Sequence, residues 1–250
     1  MRRGLCCVLL LVVASARVEG ACINPATLTH STVSITRYFD EQEKGLRSGV
    51  LGMSGTAWFL SPTSLITIGH VATAMNLSDQ SWRTVDIWTQ ENKQSIPVRV
   101  QHVVGSHPEK VVVLELQAAF PRAQGLQLRK EPLAPEEPVV SVGYPDDHLR
   151  VATGRFVRYG ADERFAGMAL FELYDGDDRL ALDYGSSGAP VFDCEGHVAA
   201  VVSKLFVTTI QFMSQVTRIP TAWGSPNVAT EPIDALEDAL SRRARLSGGR

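Results

Sequence analysis

Two short stretches carry residue types suited to nucleophilic chemistry. The first, YGSSGAPVFD at residues 184–193, sets Ser187 between glycines, with Pro190 and an apolar run directly after it. The second, GTAWFLSPTSLITIGHVATAMN, begins at Gly55 and sets His70 just past two apolar runs separated by a Ser-Pro-Thr-Ser turn. A serine hydroxyl is a weak nucleophile until a neighbouring base takes its proton, and a neutral imidazole is suited to that task. Acyl transfer also needs two backbone N–H groups aimed at the developing oxyanion. Glycines around Ser187 permit the left-handed backbone that turns such amides inward, so Gly185 and Ser187 are the expected donors. The alternative of an α/β-hydrolase esterase requires Gly-x-Ser-x-Gly on a strand-to-helix elbow. GSSGA breaks that spacing, and β-type sequence follows it.

Strands must position these residues. Short β-branched runs recur between Gly, Pro, Asp and Asn at 56–60, 64–67, 84–89, 96–104, 111–116, 138–142, 153–159, 169–173, 189–192 and 198–204, with a further candidate at 207–217. Regular spacing of short strands argues for an all-β sandwich or barrel rather than βαβ units. The segment 117–138 carries Pro121, Pro132, Pro135 and Pro138 and reads as a crossover between two halves. One good helix is expected at 233–245, with Ile233, Leu236 and Leu240 on one face and basic residues in its last turn.

Taken together, the two stretches resemble the chymotrypsin-like (trypsin-like) serine proteases, especially the bacterial branch that includes the DegP/HtrA proteases. The resemblance covers about residues 50 to 206. GTAWFLSPTSLITIGHVA is similar to the strand pair that leads to the family's catalytic histidine, here His70. GSSGAP is similar to its GDSGGP or GNSGGP box, with the nucleophile at Ser187. VVSVGYP, Val139 to Pro145, resembles the strand that opens the second barrel. The resemblance implies an all-β chain of two six-stranded antiparallel barrels with a C-terminal helix. The implied limits are 1–20 for a leader, 21–125 and 126–230 for the barrels, and 231–250 for helix and tail. It implies peptide-bond hydrolysis through a Ser187 acyl-enzyme, without a cofactor or metal. Substrate contacts would come from Ala181, Ser203 and Lys204. Ala181, six residues before the nucleophile, stands at the family's charged pocket position and argues for an apolar or small residue there rather than Lys or Arg.

The chain departs from the family in three places. Ser186 stands where animal trypsins carry an aspartate that pairs with a newly exposed N-terminus, and no Ile-Val-Gly-Gly sequence precedes the domain. Ala189 replaces a glycine. The third departure bears on catalysis. HPEKVVVLELQ, His107 to Gln117, resembles the strand that begins at the catalytic aspartate, and without gaps that position holds Lys110. A lysine cannot accept from an imidazole N–H and repels the imidazolium. A slip of one residue would instead aim the longer carboxylate of Glu109 at His70. Asp79 and Asp86 are weaker substitutes, and Ser203 stands where relatives buttress the acid. Two function classes follow: a serine endopeptidase oriented by Glu109, or an impaired homologue that binds polypeptide.

The N-terminus, MRRGLCCVLLLVVASARVEGAC, has the basic, apolar and small-residue regions of a secretory signal, with an apolar run too short to span a bilayer. Export would leave Cys22 and Cys194 as an even pair in an oxidising compartment, and a disulfide between them is expected. The protein is therefore expected to be secreted or periplasmic, without stable membrane insertion after cleavage, monomeric, and acting on polypeptide. With the sequence ending at Arg250, a PDZ domain like that of DegP relatives is not expected. A hydrophobic content of 44%, 20% charged residues and a net charge of −3 fit a globular core and give no nucleic-acid footprint. Asn76-Leu77-Ser78 is a glycosylation sequon where the host glycosylates. The histidines show no metal-ligand spacing with the acids, and Asp175-Gly176-Asp177-Asp178 reads as a β-turn.

Overall fold

The computed structural model describes residues 22–105, 110–163, 165–175, 185–212, 215–220, 225–233 and 236, with backbone only for 207–220. The leader, Glu109, Ala181 and nearly all of the expected C-terminal helix lie outside these residues.

Fourteen strands are described: β1 (Thr32–Tyr38), β2 (Gly52–Ser61), β3 (Ser64–Ile68), β4 (Arg83–Trp88), β5 (Lys93–Val104), β6 (Val111–Leu116), β7 (Pro138–Gly143), β8 (Arg150–Tyr159), β9 (Ala169–Tyr174), β10 (Pro190–Phe192), β11 (Val198–Leu205), β12 (Val207–Phe212), β13 (Gln215–Pro220) and β14 (Val228–Pro232). Twelve close into two six-stranded barrels, in the orders β1-β2-β3-β6-β5-β4 and β10-β11-β14-β9-β8-β7. Every ladder between named strands is antiparallel. The expected fold class is therefore observed, a pair of chymotrypsin-like barrels. Closure leaves no free sheet edge in either barrel.

The structure corrects the strand reading at three places. β1, TVSITRY, and β14, VATEP, were not expected. Val33 and Ile35 are the aliphatic residues of β1, yet Ser34, Thr36 and Arg37 are also buried, because both faces of this strand are covered. The single strand expected at 207–217 is instead the hairpin of β12 and β13.

The first barrel is filled by large apolar side chains with no measurable exposure, among them Trp58, Phe59, Leu65, Ile66, Ile68 and Leu114. The second is filled by Phe156, Phe171, Val191 and Val202 among others. Cys22 is bonded to Cys194, closing a separation of 172 residues, and Ile23 N–H donates to the Cys194 carbonyl at 3.0 Å. In a chain-entropy account, so long a loop places this bond at the upper end of the usual disulfide contribution of about 2–5 kcal/mol.

Two short helices were also not expected: α1 (Glu41–Leu46) and α2 (Gly69–Ala74). A capping box between Asp40 and Glu43 starts α1. The two helices are joined by a small polar network. Buried Arg37 donates to both oxygens of Glu43 at 2.8 and 2.9 Å, and to the carbonyl of Met75 at the end of α2. Arg47 donates to the Ala74 carbonyl, and Asn76 Nδ2 to Glu43. Cations thus meet the last carbonyls of the helix that carries His70, the end where its dipole is negative. The Arg37 guanidinium, aided by Asn76 and the Asp40 N–H, holds the Glu43 carboxyl at about 2 against the desolvation that opposes it. A carboxyl depressed in the folded state stabilises above its ordinary range, and that contribution fades as pH falls from about 5 toward 2. Denaturant unfolding across this range is expected to show falling stability. Glu43→Gln is expected to cost about 1.5–3 kcal/mol at pH 7 and to flatten the acid limb. An unchanged acid limb would show that Glu43 does not anchor α2.

Candidate active site

The residues of the GSSGAP turn are set by contacts with both barrels. Gly185 and Gly188 have φ of +93° and +91°, the left-handed region that favours glycine. Space excludes side chains there as well. A Cβ on Gly185 would lie 2.7 Å from the Tyr144 carbonyl oxygen, and one on Gly188 would lie 2.1 Å from that of Thr56. Between them, Ser186 is buried and Ser187 half-buried. Beyond the turn, Gly188 N–H donates to Val202, Val202 N–H to Ala189, and Ala189 N–H to Ser186. Ser141 Oγ then holds the Pro190 carbonyl at the start of β10.

Thr56, on β2 of the first barrel, joins this turn to the opposite barrel. Its N–H donates to the Ser187 carbonyl at 3.0 Å, and its Oγ1 donates to the Gly185 carbonyl at 2.7 Å. The same Oγ1 accepts from the Tyr144 N–H at 2.9 Å, and its own carbonyl accepts from Thr67 Oγ1 at 2.8 Å. The residue is fully buried. Sequence reasoning missed Thr56. Thr-Ala-Trp inside a strand signals only core packing.

His70 comes to the site from the other side. β3 pairs with β6 up to Ile68 opposite Val111, and Gly69 N–H then donates to the Lys110 carbonyl at 2.6 Å. The chain turns into α2 at that point, and His70 emerges exposed beside the turn of Ser187. His70, Ser187 and Gly185 line one cleft of about 450 Å³, with Met53, Ser54, Val71, Ala74 and Asp146. An imidazole, a hydroxyl and a left-handed glycine on one small cleft are parts that acyl transfer uses.

The remaining expected residues fall as follows. Lys110 is exposed and lines a second cavity of about 820 Å³, with His70, His102 and Asp79 among its walls. Asp86 lies on β4, away from both cavities. Burial opposes its ionisation, but Ser95 at 2.5 Å and Lys93 at 2.9 Å hold its carboxyl below the usual range. Ser203 is buried on β11, and its hydroxyl has no hydrogen-bond partner among the described residues, which ordinarily costs about 1–3 kcal/mol. Lys204 follows it, half-buried. Tyr144, pushed up to about 12 by burial, stays neutral at physiological pH. Asp193, Glu195 and His197 approach one another closely enough to suggest a metal site. Asp193 is spent on Arg129, at 3.2 Å, and on the N–H groups of Glu195 and His197, so the group acts as a turn clamp.

A family model described as trypsin-like peptidase domain matches residues 55–201, more than half of the chain. No curated protein matches the sequence significantly. Among solved structures, the Rv3671c protease of M. tuberculosis in its active form is similar at 17% identity, with 89% of this chain and 87% of that one covered and a TM-score of 0.55. Its inactive form is similar at 17% identity, covering 87% and 91%, with a TM-score of 0.54. The HtrA-type protease AlgW with a tripeptide shares 15% identity over 85% of this chain and a TM-score of 0.56. The present chain covers 60% of the AlgW chain. At these identities the likeness shows the fold.

The turn's geometry is open to direct test. Thr56→Val keeps the volume but leaves the Gly185 carbonyl and the Tyr144 N–H without their partner. It is expected to cost about 2–4 kcal/mol by denaturant unfolding. Gly188→Ala adds both strain and a backbone clash and is expected to cost about 3 kcal/mol or more. A neutral result for either would mean that the barrels do not meet at this turn.

Proposed function

This chain belongs to the trypsin-like peptidase domain family, and from that premise we propose that it is an exported serine endopeptidase. The observation that carries the reading is the shared cleft, which His70 enters from the first barrel and Ser187 from the second. In the proposed reaction Ser187 Oγ attacks the substrate carbonyl while His70 takes its proton. The N–H groups of Gly185 and Ser187 stabilise the oxyanion. His70 then passes the proton to the leaving amine, and water releases the acyl group. The Glu109 carboxylate orients the imidazole in place of the family's aspartate. Ala181 favours a small or apolar residue before the scissile bond, and Ser203 and Lys204 on β11 contact the acyl half of the substrate. The protein acts as a monomer. Export is supported by the pattern of residues 1–22 and by the disulfide of Cys22 with Cys194. Among the described residues no helix is long and apolar enough to cross a membrane.

A second reading rests on two observations. Lys110 occupies the place next to Gly69 and His70, and the Ser203 hydroxyl that would buttress an acid is buried without a partner among the described residues. An impaired homologue that retains the cleft to bind polypeptide would have both features.

Labelling by a fluorophosphonate probe separates the two readings. The mature wild-type protein is expected to label, and Ser187→Ala and His70→Ala to abolish labelling. Glu109→Gln is expected to slow it by about 10³–10⁴-fold, the scale of losing the orienting acid in this family. Lys110→Ala is expected to have little effect. Absence of labelling in folded protein between pH 6 and 9 would establish the binding reading instead.

A further inference from the structure

The cleft shared by His70 and Ser187 has one feature that the proposed chemistry does not use. Its described lining is mostly apolar or neutral, and Asp146 supplies its one carboxylate. Asp146 is exposed, and no described residue forms an ion pair or hydrogen bond with its carboxylate. Arg155, Arg129, Lys93 and Arg99 are each paired elsewhere. A carboxylate on the wall of a cleft, unpaired among the described residues, can meet a cationic side chain of a bound ligand.

The backbone is built to hold it there. Asp146 and Asp147 have φ of +50° and +61°, a conformation that asparagine and aspartate tolerate better than most residues. Pro145 before them is buried, and His148 N–H donates to its carbonyl. The Asp146 carbonyl is met by the His148 ring at 2.7 Å. Ser34 Oγ on β1 donates to the Asp147 carboxylate at 2.7 Å and so fixes the loop to the first barrel. From the other side the loop packs on Gly185, where a Cβ would approach Asp146 N to 3.2 Å. The carboxylate is therefore carried on a loop pinned at both barrels rather than on a free one.

The cleft also has a direction. His70, which hands its proton to the leaving amine, lies on it together with Met53, Val71 and Ala74. Ser203 and Lys204, on β11, are not among its described walls. It is the half of the groove that would hold the residues after the scissile bond.

We propose that Asp146 is a specificity-determining residue that selects polypeptides carrying a basic side chain on the leaving-group side of the bond. This rests on the peptidase reading for its direction, but its charge selection does not require catalysis. An exposed pair of this kind discriminates by about threefold to fivefold at low salt and less as salt rises.

Two peptides identical except for Lys or Glu directly after a central alanine would be titrated against Ser187→Ala protein by fluorescence anisotropy. The Lys peptide is expected to bind several-fold more tightly, with the difference lost in Asp146→Asn and reversed in Asp146→Lys. Equal affinities, a Lys preference that survives Asp146→Asn, or no binding of either peptide would overturn the proposal. Fluorophosphonate labelling of wild-type protein reports on the catalytic reading separately. Labelling without charge selection removes only the role of Asp146. Charge selection without labelling removes only the peptidase, leaving a binding protein that reads basic segments.

Discussion

The site depends on the hydrogen bonds of one buried threonine. Thr56 sits in the middle of a first-barrel strand, yet three of its four polar bonds described above go to the second barrel, to Ser187, Gly185 and Tyr144. Each partner is a backbone group that would otherwise be buried and unpaired. Removing the hydroxyl would therefore not merely weaken packing between barrels. It would leave the Gly185 carbonyl and the Tyr144 amide without their partner, while the bond from the Thr56 N–H to the Ser187 carbonyl remained. The left-handed glycines belong to the same constraint, because the turn approaches Thr56 and Tyr144 so closely that side chains at 185 and 188 have no room.

His70 is positioned by a separate device of the same kind. The N-terminal end of α2 is held by the backbone carbonyl of Lys110, and its C-terminal end by the guanidinium groups of Arg37 and Arg47. The role of residue 110 in the frame is carried by its main chain and does not depend on its side chain. The side chain at residue 110 can therefore vary without disturbing the register of β3 and β6. His70 and Ser187 accordingly share one cleft while Lys110 lines a neighbouring cavity.

The N-terminal segment is committed elsewhere. Ile23 is hydrogen-bonded to Cys194, and a Cβ on Gly196 would meet its side chain at 2.6 Å, so the segment lies on the turn after β10. Arg129 and Asp193 brace the same turn from the crossover. Ser186 is buried in the GSSGAP turn, and Thr56 and the glycines of that turn shape it.

By itself the sequence determined the fold class and the disulfide, and it singled out His70 and Ser187, which line one cleft. Alternating β-branched runs, paired glycines and paired cysteines are local signals whose meaning changes little with context. β1 was not legible, because its alternate positions are serine and threonine buried by a second layer, and burial of both faces is a tertiary property. β14 is short and ends in Glu-Pro, which no strand pattern flags. α2 has only six residues, too few to show a helical period, and it forms because Lys110 and two arginines satisfy its ends. Thr56 and Asp146 gave no signal at all. A threonine in a strand and an aspartate in a Pro-Asp-Asp loop are commonplace locally. Only barrel closure brings the first against the nucleophile turn and the second against the cleft, since hydrogen bonds spanning 129 and 113 residues are set by topology rather than by neighbours in the chain.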